Sequence, residues 1–202
     1  MRGKTLIATG AAGLVALGVG VIAFTSFSGG GAENCATASV GADIGGPFEL
    51  VNAAGETVTD ADVITAPSLV YFGYTYCPDV CPMDAARNAQ ALDILAERGV
   101  EAQGVFISVD PERDTPEVVG DYAAAFGDDI VGLTGSEDQI RAASRAYRTF
   151  YSLPEDRSDP YYTVDHSTFT YLVMPETGFA TYFNRDTTPE EMADTVACFA
   201  GS

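Results

Sequence analysis

Cys77 and Cys81 stand four residues apart in Cys77-Pro78-Asp79-Val80-Cys81-Pro82. On a helical turn that spacing puts both side chains on one face, with Cβ atoms about 5–6 Å apart. Two chemistries fit. Two thiolates can share one soft metal ion if each sulfur lies roughly 2.3 Å from it, so at most about 4.6 Å from the other. The same pair can close a disulfide, which needs Cα atoms about 4.4–6.8 Å apart. The prolines mark the passage from loop into helix, so the sulfurs sit in the first turn or just before it. Unpaired N–H groups and the helix dipole favour thiolate there. The sequence has one histidine, His166, in Val164-Asp165-His166-Ser167. A lone histidine is more often a surface or core residue than a ligand, so its candidacy depends on where the fold puts it. With the two cysteines it makes a soft three-ligand set. Thiolates select Cu(I) and imidazole also suits copper, whereas structural zinc wants a fourth ligand. Asp165 can orient the imidazole or simply serve its turn. The thioether of Met83 is a further ligand type, but its position fits helix packing better.

These residues need elements to bring them together. Ser68 to Phe72 is a continuous apolar run, the mark of a strand buried on both faces. Residues 84–98 carry apolar side chains at helical spacing and stop at Gly99. A second buried strand, 104–109, ends in Asp110-Pro111-Glu112-Arg113-Asp114. Thr115-Pro116-Glu117 then opens a helix reaching about Phe126. Residues 130–133 are a short strand and 136–147 another helix. Leu153 to Tyr161 reads as an irregular insertion. Residues 169–174 and 179–183 form a hairpin around Pro175-Glu176-Thr177-Gly178, and a last helix starts at Thr188. Upstream, residues 47–51 and 56–59 flank a Gly-containing turn and read as a β-hairpin. Strands alternating with helices predict an α/β domain with a parallel core sheet. A cysteine pair after the first core strand, at a helix N-terminus, predicts a thioredoxin-like fold with an added N-terminal hairpin and an insertion before the last hairpin. In such a fold the segment before residue 169 abuts the cysteine loop. Thioredoxins carry a proline there, and this chain offers His166.

The whole chain has 202 residues and a net charge of −19, which suits one domain plus a short extra segment and argues against a nucleic-acid partner. Arg2 and Lys4 precede an uncharged run from Thr5 to Ser28, long enough to span a bilayer. The basic residues place the N-terminus inside, so the remainder is exported. A cleaved signal peptide is the competing reading. The expected organisation is a cytoplasmic 1–4, an anchor or signal segment 5–28, a linker 29–39 and a thioredoxin-like domain 40–202. The expected location is the inner membrane, single-pass, with the folded domain in the periplasm.

Four stretches together resemble the Sco/SenC family of copper-binding proteins. They are Tyr71 through Pro82, Ile107-Ser108-Val109-Asp110-Pro111-Glu112-Arg113-Asp114-Thr115, Gly132-Leu133-Thr134-Gly135, and Val164-Asp165-His166-Ser167 with Tyr171-Leu172. They run in family order across roughly residues 40–198. The resemblance implies copper, as Cu(I) or Cu(II), bound by Cys77, Cys81 and His166. It also implies a role in assembling the binuclear copper centre of cytochrome c oxidase subunit II, with a periplasmic copper donor upstream. Asp110 matches a family aspartate that lies near the copper, though it also suits a strand-end turn.

Cys35 and Cys198 fall outside the family pattern. They bracket the domain, and a disulfide tying its first residues to the last helix is expected, contributing about 4–5 kcal/mol in the chain-entropy view. The alternative is two free thiols. The leading expectation is thus a membrane-tethered copper metallochaperone rather than an enzyme. A thiol-disulfide oxidoreductase that keeps the target's cysteines reduced is the main rival; it needs Cys77 and Cys81 but not His166. A peroxidase has only Arg87 in its favour, and a redox or copper sensor is a further alternative.

Overall fold

The structure, a computed structural model, describes Cys35 and residues 43–201. The expected segment 5–28, and the linker 29–39 apart from Cys35, lie outside the described residues. Among the described residues, no helix is long and apolar enough to cross a membrane.

The core is built on β3 (Ser68–Gly73), buried at all six positions. It pairs in parallel with β4 (Gln103–Ser108), which pairs in parallel with β5 (Ile130–Thr134). On its other side β3 meets β8 (Thr170–Met174) antiparallel, and β8 forms a hairpin with β9 (Gly178–Phe183). The added hairpin, β1 (Glu49–Asn52) and β2 (Thr57–Thr59), joins β5 and completes a seven-stranded sheet in the order β2-β1-β5-β4-β3-β8-β9. This is the expected thioredoxin-like arrangement with its N-terminal hairpin.

Alternation along β3 divides the core. Leu69 faces one layer, where it joins Leu92 and Leu95 of α2 (Val80–Glu97) and Met192 and Val196 of α5 (Pro189–Ala200). Val70 and Phe72 belong to the other layer, with Val119 of α3 (Pro116–Ala124) and Ile140 and Ala143 of α4 (Glu137–Ala146). Each fully buried side chain of this size contributes about 1.5–3 kcal/mol. The caps are those the sequence spells out. Thr115 caps α3 ahead of Pro116, and Ser136 with Gln139 and Thr188 with Glu191 form capping boxes on α4 and α5. The one-turn α1 (Asp60–Val63), capped by Thr59 and Asp62, was not expected; it is too short for a periodic signal. Cys35 and Cys198 are joined in a disulfide, with Cα atoms 5.6 Å apart.

Candidate metal centre

The chain leaves β3 at Gly73, turns through residues 74–79 and enters α2 at Val80. The helix takes in Cys81 in its first turn, as the prolines suggested, and begins four residues before the apolar periodicity from Asp84. Pro82 is no obstacle, because a first-turn N–H has no intrahelical partner to lose. Asp79 occupies the N-cap position but its carboxylate makes no capping bond. The Cys77 sulfur does this work instead, accepting the Cys81 N–H at 3.3 Å. Gly73 lets the packing close. A Cβ there would lie 3.1 Å from Cys81 Sγ and 2.8 Å from the Tyr71 ring.

His166 arrives from the other side. It lies in β7 (Asp165–His166), which pairs with β6 (Tyr151–Ser152) in a separate two-stranded sheet. The sequence reading made this segment a loop, since two residues give no periodic signal. The imidazole Nδ1 is 2.8 Å from the Ser167 carbonyl. A carbonyl only accepts, so Nδ1 carries the proton and the Nε2 lone pair points into the site. Nε2 lies 3.3 Å from Cys81 Sγ. The ligand atoms of Cys77, Cys81 and His166 all fall within 4.8 Å of one another. That separation nearly matches what one ion bound at roughly 2.3 Å from sulfur and 2.0–2.1 Å from nitrogen requires. The rings of Tyr71 and Tyr74 stand edge-on to the imidazole at 6.2 and 5.7 Å and wall the site.

The two thiols are not equivalent. Burial opposes ionisation of Cys77, but the N–H groups of Asp79 and Cys81 outweigh it and lower the thiol below its usual value. Burial dominates at Cys81 and pushes its thiol well up. Burial likewise lowers His166, keeping the ring neutral. The arrangement therefore favours ionisation of Cys77 over Cys81, with a neutral imidazole aimed at the Cys81 thiol. A metal held by both sulfurs would displace the Cys81 proton to water, because Nε2 must stay unprotonated to serve as the third ligand.

Residues beyond the ligands hold this geometry. Asp114, fully buried, accepts from Thr75 N at 3.0 Å, from Thr75 Oγ1 and from Ser108 Oγ, so it pins the cysteine loop to the end of β4. Burial raises its pKa against the pull of those donors. Arg113 stacks on Tyr162 at 3.5 Å, pairs with Asp110 and donates to the carbonyls of Pro160 and Tyr162. It thereby fastens the end of the 153–161 insertion to the turn after β4. Asp110 is fully buried and accepts the Tyr162 hydroxyl at 2.7 Å. Asp165 is exposed, and the imidazole partner expected of it is the Ser167 carbonyl. Met83 does not pack as expected; it is 58% exposed. Sequence reasoning missed Gly73, Asp114, Arg113 and Tyr162. The run of charge and proline after β4 was the only signal for the middle two.

The SCO1/SenC family model matches residues 36–201. The chain is 56% identical over 163 residues to protein SenC of Rhodobacter capsulatus, covering 81% of this chain and 73% of that one. It is 40% identical over 156 residues to the mitochondrial SCO1 homolog 1 of Arabidopsis thaliana, covering 77% of this chain but only 46% of that longer protein. Among solved structures, Arabidopsis thaliana ScoI with copper bound superposes with a TM-score of 0.72 at 38% identity, covering 79% of this chain and 99% of that one. Copper is thus the metal of a close structural relative, and the two sulfurs and one nitrogen gathered here suit it. With motifs, fold and ligand geometry in agreement, the chain belongs to the SCO1/SenC family.

Proposed function

We propose that this protein is a membrane-tethered copper metallochaperone that delivers copper to the binuclear copper centre of cytochrome c oxidase subunit II. The observation that carries the reading is the convergence of Cys77, Cys81 and His166 within 4.8 Å, with no further histidine, cysteine or carboxylate joining them among the described residues. Three ligands leave a position free. An incoming thiolate from the target can occupy it, after which the carrier's own ligands leave in turn. Copper is cargo here, so a site that is complete enough to hold it and open enough to release it serves the role. The anchor at 5–28 would keep the domain at the membrane surface, in a compartment where a copper donor loads it.

The test is copper stoichiometry and absorption spectrum for the wild type, Cys77→Ser, Cys81→Ser and His166→Ala. The serine variants should lose stoichiometric copper, and the alanine variant should hold it more weakly with an altered spectrum. A His166→Ala protein that binds as tightly, with the same spectrum, overturns the three-ligand site.

The unequal thiols favour one further role, reduction of the target's disulfide before metallation. The Cys77 thiolate would attack one sulfur of that disulfide, releasing the other as a thiolate. Cys81, its proton passed to His166, would then attack Cys77. The carrier would leave with a Cys77–Cys81 disulfide and the target with two thiols. Replacing His166 should slow the second step without preventing the first.

A further inference from the structure

Six large hydrophobic side chains are exposed among the described residues: Tyr76, Met83, Phe150, Tyr161, Phe169 and Tyr182. Each lies on, or is bonded to, a segment at the end of the sheet where β3 finishes and α2 begins. Tyr76 adjoins Cys77, and Met83 lies in the first turn of α2, two residues past Cys81. Phe169 follows His166 by three residues and its ring meets that of Tyr182 at 5.1 Å. The Phe150 carbonyl accepts the Ser167 N–H at 2.9 Å. Tyr161 lies between the two carbonyls that bind Arg113, and Arg113 reaches over the Tyr76 ring at 4.8 Å. Soluble proteins usually scatter such side chains singly. Exposed aromatics and methionine gathered around a reactive cluster have the composition of an interface core.

The charge around this collar narrows the partner. Asp79, Asp156, Asp159, Asp165 and Asp186 are exposed beside it. Of the neighbouring cations, Arg113 is engaged with Asp110, Arg157 with Glu112 and Glu137, and Arg185 with Asp84, while Arg141 and Arg145 line the same pocket as Phe150. Away from the Phe150 flank the rim is therefore negative. It repels an anionic lipid surface, and it repels a second copy of a chain whose net charge is −19. We propose that the aromatic collar docks a protein that presents its metal-accepting cysteines on an apolar face rimmed by lysine and arginine. The inference rests on the copper-transfer reading and adds to it the surface that aligns the two ligand sets and dries the space between them. Opposite charge at the rim speeds the encounter, and the collar sets the lifetime of the complex.

The test uses full-length protein in detergent micelles and the copper-free soluble domain of oxidase subunit II, with binding read by fluorescence anisotropy. The double variant Phe150→Ser/Tyr161→Ser removes two collar side chains that touch no ligand. It should weaken binding about tenfold or more. Raising NaCl from ~50 to ~500 mM should weaken wild-type binding as well. Release of copper to the small chelator bathocuproine disulfonate should be the same in wild type and variant, which shows the site itself is intact. Equal affinity for the two proteins, or no measurable wild-type binding, overturns the proposal. So does a wild-type dimer that the double variant disperses. Docking that persists while no copper moves would instead defeat the transfer reading and leave the collar standing.

Discussion

The molecule holds two cysteine pairs in opposite chemical states. Cys77 and Cys81 are free although only four residues apart, while Cys35 and Cys198 are bonded across a separation of 163 residues. Burial does not separate them, since Cys35, Cys77 and Cys81 are all buried. The surroundings do. Backbone N–H groups and an imidazole face the local pair, so its sulfurs have uses other than each other. The distant pair joins the N-terminal side of the domain to α5. One pair is kept reactive by polar company; the other is spent on holding the chain.

The largest test of that contrast is reduction of the distant pair. Closing a loop of this length is worth roughly 5 kcal/mol in the chain-entropy view. A Cys35→Ser/Cys198→Ser variant should therefore melt many degrees lower, while copper stoichiometry stays at the wild-type value. Loss of copper together with stability would show that the two pairs are not independent. Next comes Gly73→Ala. Its Cβ would crowd Cys81 Sγ at 3.1 Å, and overpacking of this kind costs about 1–3 kcal/mol. Copper affinity should fall about tenfold or more, with a smaller change in melting temperature, by titration and calorimetry on one preparation.

Arg113→Ala should act more gently. It removes the stack on Tyr162 and two charge-assisted bonds to carbonyls, and leaves Asp110 without its cation. We expect faster proteolysis within 153–161 and a shifted copper spectrum with stoichiometry retained. The finest test separates the two sulfurs of the free pair. The Cys77 thiol is lowered and the Cys81 thiol raised, so iodoacetamide near neutral pH should modify Cys77 well ahead of Cys81, as peptide mapping would show. His166 gives the matching stability signature. Its folded pKa is depressed below 6.5, so the folded state binds fewer protons than the unfolded one. Its contribution is present above about pH 6.5 and is lost as pH falls from there through the depressed folded value. His166→Gln should flatten this part of the stability profile. An unchanged profile would place the imidazole outside the buried site.

Much of this was legible in the residues. The buried strand 68–72, the caps at Thr115, Ser136 and Thr188, and the Cys–Cys–His set all carry local signals: apolar runs, Ser or Thr before Pro or acid, and metal-ligand types. What the sequence hid is what depends on tertiary contact. The prolines gave the helix entry, but its first residue, Val80, lies before the apolar periodicity that begins at Asp84. The β7 strand is two residues long and exists only because β6 lies beside it. Asp114 and Arg113 looked like loop charges, and only the folded chain shows them reaching Thr75 and Tyr162. Met83 looked apolar enough to pack, but the helix presents it outward.

Strand directions give the bridge between Cys35 and Cys198 a further consequence. β3 ends at Gly73 beside the sulfurs; β9 runs back toward that same edge, so α5 begins near it and ends at the opposite edge. Cys198 lies ten residues past Thr188, a climb of about 15 Å along the helix. The bond thus fixes the departure point of the upstream chain at the antipode of the sulfurs. Under the proposed anchoring at 5–28, a leash attached there would turn the cargo pole outward, into the aqueous space.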